Sequence, residues 1–186
     1  MPRYAAFLRA INVGGHIVKM DRLRALFEGM GLTGVSTVIA SGNVLFDARA
    51  KSAHQLEGMI ERQLRDALGY DVSAFVRTAS ELAALTTCEP VERANHETPD
   101  ARLYVIFLAA PPSDESVRRL LAWRSETDDL HVAGREVFWL CRIKSSDSPV
   151  FKKNAIEKSL GVPGTARNIT TVLKIAALLQ AVGGRR

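Results

Sequence analysis

The chain has 186 residues, of which 47% are hydrophobic and 24% are charged. This balance is typical of a globular protein with one ordinary domain or two small ones, and it excludes a disordered chain, which combines low hydrophobicity with high net charge. Lysine and arginine exceed aspartate and glutamate by 25 to 20, an excess that favours anionic partners, although the basic residues are scattered as on an ordinary solvated surface.

The first half of the chain predicts six elements. Periodic apolar side chains predict two helices, which Gly31 and Gly69 end, and the turn Ser41-Gly42-Asn43 predicts a tight hairpin. In chain order the elements are a strand over 4–8, a helix over 20–30, a hairpin of strands 35–40 and 44–46, a helix over 56–68 and a strand over 72–77. The order β-α-β-β-α-β is that of the ferredoxin-like arrangement.

A short helix and a linker are predicted next. Thr78 and Glu81 have the spacing of a capping box, which begins a helix. Residues 89–101 contain two prolines and several charged groups without an apolar period. We interpret them as a linker between a first unit of residues 1–88 and a second unit of residues 102–186.

The second half repeats the pattern β-α-β-β. A strand over 103–108 is followed by a helix capped by Ser113 and by a hairpin over 130–140, and the remaining signals are helical. No eighth strand is visible in the sequence. We therefore predict an α+β fold of two ferredoxin-like units, βαββαβ and then a degenerate βαββ that ends in helices. On the last helix, Leu173 is expected in the core.

Three segments carry a family pattern: 8–15 with Lys19-Met20, then 41–46, then 165–174. They resemble the domain-of-unknown-function 1697 family. The resemblance implies a duplicated ferredoxin-like α+β structure and brings no established activity. This chain departs from the pattern at Ala10, where the family more often has glycine, and at Ile169-Thr170, where it more often has Trp-Asn. The missing tryptophan weakens any stacking role for the last segment.

The loop that follows the first strand is the first candidate site. Gly14 and Gly15 expose backbone N–H groups just before a helix, which favours a phosphate or another anion. The loop is not a P-loop, because Val18-Lys19-Met20 lacks both the glycine before the lysine and the hydroxyl residue after it. A purely structural turn explains the same residues.

Topology extends this candidate site to a composite one. In the predicted unit the first two strands run parallel, so the loop after the first strand and the hairpin turn lie at one sheet edge. The last family segment adds a polar, basic helix face with Asn168 at its start, which is a second part of an anion site or a solvated surface. The candidate ligand-binding residues are Arg9, Asn12, Gly14, Gly15, Lys19, Ser41, Gly42, Asn43, Arg167, Asn168 and Thr171.

Catalytic signatures are absent from the sequence. The histidines at 16, 54, 96 and 131 are isolated from one another, and only His16 follows the glycines of the candidate loop. The pair Asp128-Asp129 is interpreted as exposed turn carboxylates rather than as metal ligands. We predict no metal and no cofactor, and we assign no catalytic residue.

Three functions therefore compete. The favoured one is a binding module for a small phosphate- or carboxylate-bearing ligand. The alternatives are an enzyme acting on an anionic small molecule, with His16 or a hydroxyl moving protons, and a weak nucleic-acid-binding protein, which is disfavoured because the strands lack the basic-glycine-aromatic signature of RNA-binding sheets.

The N-terminus and the cysteines indicate a compartment. The apolar run before Arg9 is too short for a signal peptide, and no apolar stretch approaches the ~20 residues of a membrane helix. Cys88 and Cys141 lie far apart, so we expect small buried thiols rather than a bridge. The prediction is a cytoplasmic protein without a membrane partner, and the oligomeric state is left open.

Overall fold

The computed structural model describes residues 1–39, 42–50, 52–95 and 97–183. It is an α+β structure with two four-stranded antiparallel sheets. The chain divides into two compact units, one of residues 1–83 together with the C-terminal segment from Lys174, and one of residues 84–173.

The first unit contains the elements that the first half of the sequence predicts. They are β1 (Arg3–Arg9), α1 (Met20–Gly29), β2 (Thr33–Thr37), β3 (Asn43–Asp47), α2 (Ala53–Leu68) and β4 (Ser73–Thr78), followed by α3 (Ala79–Leu85). The strand order is β2-β3-β1-β4, so β2 and β4 are the edge strands.

One face of the first sheet packs against α1 and α2. Alternate residues of β1, such as Tyr4 and Leu8, share a hydrophobic core with Phe27 of α1 and with Ile60 and Leu64 of α2. Local signals fix where α2 lies. It begins at Ser52, whose Oγ accepts a hydrogen bond from the Gln55 N–H (3.2 Å), and ends at Gly69, whose left-handed φ of 82° closes the helix.

Two glutamates of α2 bind the backbone of β4. Oε1 of Glu57 accepts from the N–H of Val76 (2.8 Å), and Oε1 of Glu61 accepts from the N–H of Ala74 (3.0 Å). Arg77 is fully buried, with Nη1 lying 3.8 Å from Oε1 of Glu57. A buried guanidinium needs a counter-charge, which Glu57 supplies.

The second unit has the same strand order, β6-β7-β5-β8. Its elements are α4 (Glu89–Ala94), β5 (Arg102–Leu108), α5 (Asp114–Leu121), β6 (Asp128–Ala133), β7 (Glu136–Cys141), a short 3-10 turn over Ser145–Asp147, α6 (Pro149–Lys152), α7 (Ala155–Leu160), β8 (Gly164–Asn168) and the start of α8 (Ile169–Gly183). Ile106, Leu120, Trp139 and Leu160 belong to its core, which joins the sheet to α5 and α7.

The eighth strand corrects the prediction that the second half ends in helices alone. Gly164–Asn168 pairs with β5 along its length, with Arg167 opposite Val105. The segment escaped the sequence analysis because only Thr165 among its five residues is buried, so it has no apolar alternation. An edge strand of this length needs few apolar side chains to pair.

The segment predicted as a linker begins with helix α4, whose Val91 is buried, and the C-terminal segment from Lys174 groups with the first compact unit. The expected burial of Leu173 differs from the structure. Leu173 is exposed (37%), whereas Val172, Ile175, Ala176 and Leu179 are buried. The apolar stripe of α8 therefore runs through 172, 175, 176 and 179, one residue away from the predicted Leu173.

Candidate functional site

The loop between β1 and α1 is held by its own polar groups. Oδ1 of Asn12 accepts a hydrogen bond from the N–H of Val18 (2.8 Å), and the carbonyl of Val13 accepts from the N–H of His16 (3.1 Å). Gly14 and Gly15 lie between these bonds at φ of 62° and 86°. Asn12 thus folds the loop, and the two glycines supply its left-handed residues.

Ala10 begins this loop under backbone strain. Its φ is 67°, a left-handed conformation that costs a residue with a Cβ roughly 1–2 kcal/mol. Glycine adopts this conformation without that cost, which explains why the family pattern favours glycine at position 10.

The hairpin turn between β2 and β3 packs against the same loop. An ideal Cβ on Gly42 would lie 2.8 Å from Cγ2 of Ile11, and the carbonyl of Gly42 accepts from the N–H of Leu8 (2.8 Å). Asn43 is fully buried and donates through Nδ2 to the carbonyl of Val38 (2.9 Å). Gly42 and Asn43 are therefore buried and not exposed to solvent. Ser41 lies outside the described residues.

Most residues of this loop face solvent, since 12–17 and Lys19 are all exposed. Gly14, Gly15 and Lys19 are exposed, and Lys19 occupies the N-cap position of α1 without a side-chain capping bond. His16 stacks on Tyr70, with ring centroids 3.9 Å apart and an interplanar angle of 17°. The hydroxyl of Tyr70 donates to the carbonyl of Ile11 (2.8 Å), so this stack also fixes the loop.

The remaining candidate cations lie on strands. Arg9 is the half-buried last residue of β1, and it alternates with Leu8, whose side chain faces the α1 and α2 core. The spacing of Arg167 to Thr171 predicts a place on the terminal helix. In the structure, Arg167 lies on β8 instead. Burial lowers the pKa of Arg167 to about 10, so it is still a cation at neutral pH.

The last family segment also caps a helix. Oδ1 of Asn168 accepts from the N–H of Thr170 (3.0 Å) at the start of α8, as expected of an N-cap residue, and Thr171 is half-buried in the first turn. Arg167 donates through Nη1 to Oγ1 of Thr165 (2.8 Å). Arg167, Asn168 and Thr171 belong to the second compact unit, and their union with the β1–α1 loop stays a prediction.

Asp128 differs most from its sequence interpretation. It is not an exposed turn residue but is buried, at 1% exposure, and accepts from Nε1 of Trp139 (2.8 Å), Oγ of Ser148 (2.6 Å) and Oγ1 of Thr127 (2.9 Å). No local sequence pattern signals this network, because its donors come from 127, 139 and 148. Its neighbour Asp129 does face a cavity, together with Arg93, Arg124 and His131.

The two cysteines are free thiols. Cys141 is buried and Cys88 is half-buried, and burial raises the pKa of both thiols, which disfavours the nucleophilic thiolate. Within the described ranges, no group of three or more His, Cys, Asp and Glu side chains is placed to hold a metal ion, and no helix has the length and apolar character needed to cross a membrane.

Comparison with known proteins now places the chain. Residues 1–138 match the model of the protein family of unknown function DUF1697. The chain belongs to this family. Its fold is similar to that of the conserved bacterial protein SP0830 from Streptococcus pneumoniae, with a TM-score of 0.73, 22% identity and coverage of 97% of this chain and 99% of that one. The comparison with curated proteins finds no match.

Proposed function

We propose that this DUF1697 chain is a binding module for a small anionic ligand, one that bears a phosphate or a carboxylate, and that the β1–α1 loop receives it. The observation that carries the proposal is the state of Gly14 and Gly15. Both glycines are exposed, and their backbone N–H groups make no hydrogen bond to another described residue. No atom lies within 4 Å of an added Cβ at either glycine, so packing alone does not require glycine there.

The surroundings of these N–H groups favour negative charge. The loop leads into α1, a helix of 10 residues whose N-terminus lacks a side-chain cap, and the exposed ammonium group of Lys19 stands at that N-cap position. The Asn12 and Tyr70 bonds hold the loop in place before any ligand arrives, which lowers the entropy cost of binding. Arg9, at the end of β1 in the same unit, extends this proposal as a further donor.

The finer description of the fold is also part of the proposal. We interpret the two units as copies of one ferredoxin-like βαββαβ unit, each followed by a helix. When β1 and β5 are aligned through their pairing with β4 and β8, Tyr4, Phe7 and Leu8 match Tyr104, Phe107 and Leu108. Arg77 then matches Arg167. A cytoplasmic location is likewise a prediction.

The test is a titration of the isotope-labelled chain with inorganic phosphate, followed by the backbone amide signals of Gly14 and Gly15. We expect saturable shifts at both glycines, and we expect Lys19→Ala to weaken binding about fivefold, the order of one charge at a helix N-terminus. Lys158→Ala, which removes an exposed lysine of α7, is the matched control and should leave the affinity unchanged. Unshifted glycine signals at millimolar phosphate, or equal effects of the two substitutions, would contradict the proposal.

A further inference from the structure

The second unit contains a cavity of about 240 Å³ on the face of its sheet opposite the α5 and α7 core. Leu103, Phe138 and Leu140 form its floor. The strand register explains why, since His131 pairs with Phe138 and Asp129 pairs with Leu140, and paired residues project to the same face. Helix α4 and the segment after α5 form the walls. The cavity is smaller than the roughly 300–1,000 Å³ of drug-sized sites, so it suits one small ring system.

Asp129 holds two arginines at the wall of this cavity. Its Oδ2 accepts from Nη1 of Arg93 (2.7 Å), and its Oδ1 lies 3.3 Å from Nε of Arg124. Arg93 also donates through Nη2 to Glu89, and Nε of Arg124 donates to the carbonyl of Leu130 (2.7 Å). A guanidinium has five N–H donors, so both arginines keep donors beyond these bonds while their positions are fixed.

The charges that line the cavity cancel. Arg93 and Arg124 are balanced by Glu89 and Asp129, so a formal anion would meet two carboxylates and a formal cation would meet two guanidinium groups. A wholly apolar ligand would leave the polar wall without partners. An uncharged ligand with both donors and acceptors on its edge satisfies these four groups at the least cost.

The aromatic lining selects for a planar ligand. The rings of His131 and Phe138 have centroids 6.1 Å apart and are tilted by 57°. Phe138 is 1% exposed and belongs to the floor, whereas the half-buried imidazole of His131 lines the cavity beside it. Aromatic and guanidinium planes stack on flat rings. We propose that this cavity binds an uncharged planar heterocycle with hydrogen-bonding edges, the chemistry of a nucleobase. The inference is independent of the anion site, because every lining residue belongs to the second unit.

The test compares three ligands that differ in charge. The full chain, isotope-labelled, is titrated with adenosine, benzoate and benzylamine, and the amide signals of β6 and α4 are followed. We expect saturable shifts with adenosine at these elements and weaker binding of both charged rings. Saturation by benzoate or benzylamine at lower concentration than adenosine, or no saturable shift up to the solubility limit of adenosine, would overturn the proposal.

Substitutions then test the stacking. His131→Leu should weaken adenosine binding about tenfold, the order expected for loss of one stacking partner. Phe151→Leu is the control, because Phe151 is exposed on α6 and does not line the cavity, and it should leave adenosine binding unchanged. Unchanged affinity in a folded His131 variant would contradict the stacking geometry.

Discussion

The two units each bury a carboxylate, and they satisfy it differently. Glu57 in the first unit is 5% exposed and lies beside the fully buried guanidinium of Arg77 while accepting a backbone N–H. Asp128 in the second unit is 1% exposed and accepts from an indole N–H and two hydroxyl groups. One carboxylate is compensated by charge and the other by dipoles.

Because of this difference, removal of the carboxylate charge should cost more stability in one unit than in the other. When a buried ion pair loses one partner, the other charge stays in the interior without compensation, which costs about 3–5 kcal/mol. When a carboxylate held by neutral donors becomes an amide, no charge is left behind, and some of its hydrogen bonds survive. The first unit should therefore be more sensitive to neutralising its carboxylate.

Glu57→Gln is the largest expected effect. The amide can still accept from Val76, but the guanidinium of Arg77 loses its buried counter-charge, so the free energy of unfolding should fall by about 3 kcal/mol. Urea denaturation measures this difference. Asp66→Asn, an exposed position on the same helix, is the matched control and should change stability by less than about 0.5 kcal/mol.

A second substitution sharpens this result. Adding Arg77→Met to the Glu57→Gln variant removes the buried charge that Glu57 balanced, and we expect it to restore part of the lost stability. A loss below about 1 kcal/mol for Glu57→Gln alone would show that other groups around Arg77 carry the compensation, and the contrast between the units would then disappear.

Asp128→Asn should have the next largest effect. Trp139 and Ser148 both donate to Oδ1, which the amide oxygen can replace, whereas the amide N–H replaces Oδ2 and faces the hydroxyl of Thr127. The bonds to the amide also lose the charge of the carboxylate, so we expect a loss of about 2 kcal/mol. Denaturant unfolding gives the magnitude. Asp100→Asn, at an exposed position, should leave the stability unchanged. A loss as large as that of Glu57→Gln would mean that the charge of Asp128 also balances a cation.

Glu61→Gln should have the smallest effect. Glu61 is half-buried and accepts a hydrogen bond from the N–H of Ala74, which an amide oxygen can also accept, so we expect a loss of about 0.5–1 kcal/mol. Amide hydrogen exchange tests the bond itself. The N–H of Ala74 should exchange faster in the variant than in the parent chain, because its bond to the amide oxygen is weaker than its bond to the carboxylate. Exchange that is unchanged from the parent chain would show that Glu61 does not hold β4.

The sequence predicted those parts of the fold that local chemistry decides. The capping box is confirmed, since the N–H of Thr78 donates to Oε2 of Glu81 (2.7 Å) and the N–H of Glu81 donates to Oγ1 of Thr78 (3.1 Å). Ser113 caps α5 through the N–H of Ser116 (3.2 Å). Such motifs span four residues, so a short window of sequence contains all of their partners.

The missed parts depend on distant partners. Strand β8 exists because β5 supplies its hydrogen bonds, and the burial of Asp128 depends on Trp139 and Ser148, which are 11 and 20 residues away. The candidate loop shows the same limit. The sequence predicted Asn12, Gly42 and Asn43 as ligand-binding residues, but it did not predict their bonds to Val18, Leu8 and Val38, which hold the two turns.

The two hydrogen bonds from α2 to β4 also affect whether the strand of another chain can pair with the edge of the first sheet. An edge strand with unpaired N–H groups is a template on which another chain can extend the sheet, the first step of many aggregates. Glu57 and Glu61 occupy the N–H groups of Val76 and Ala74, which are the donors such an incoming strand would need. Helix α2 therefore disfavours the addition of another strand at this edge. The carboxylate of Glu57, which balances Arg77, also disfavours self-association of the chain through β4.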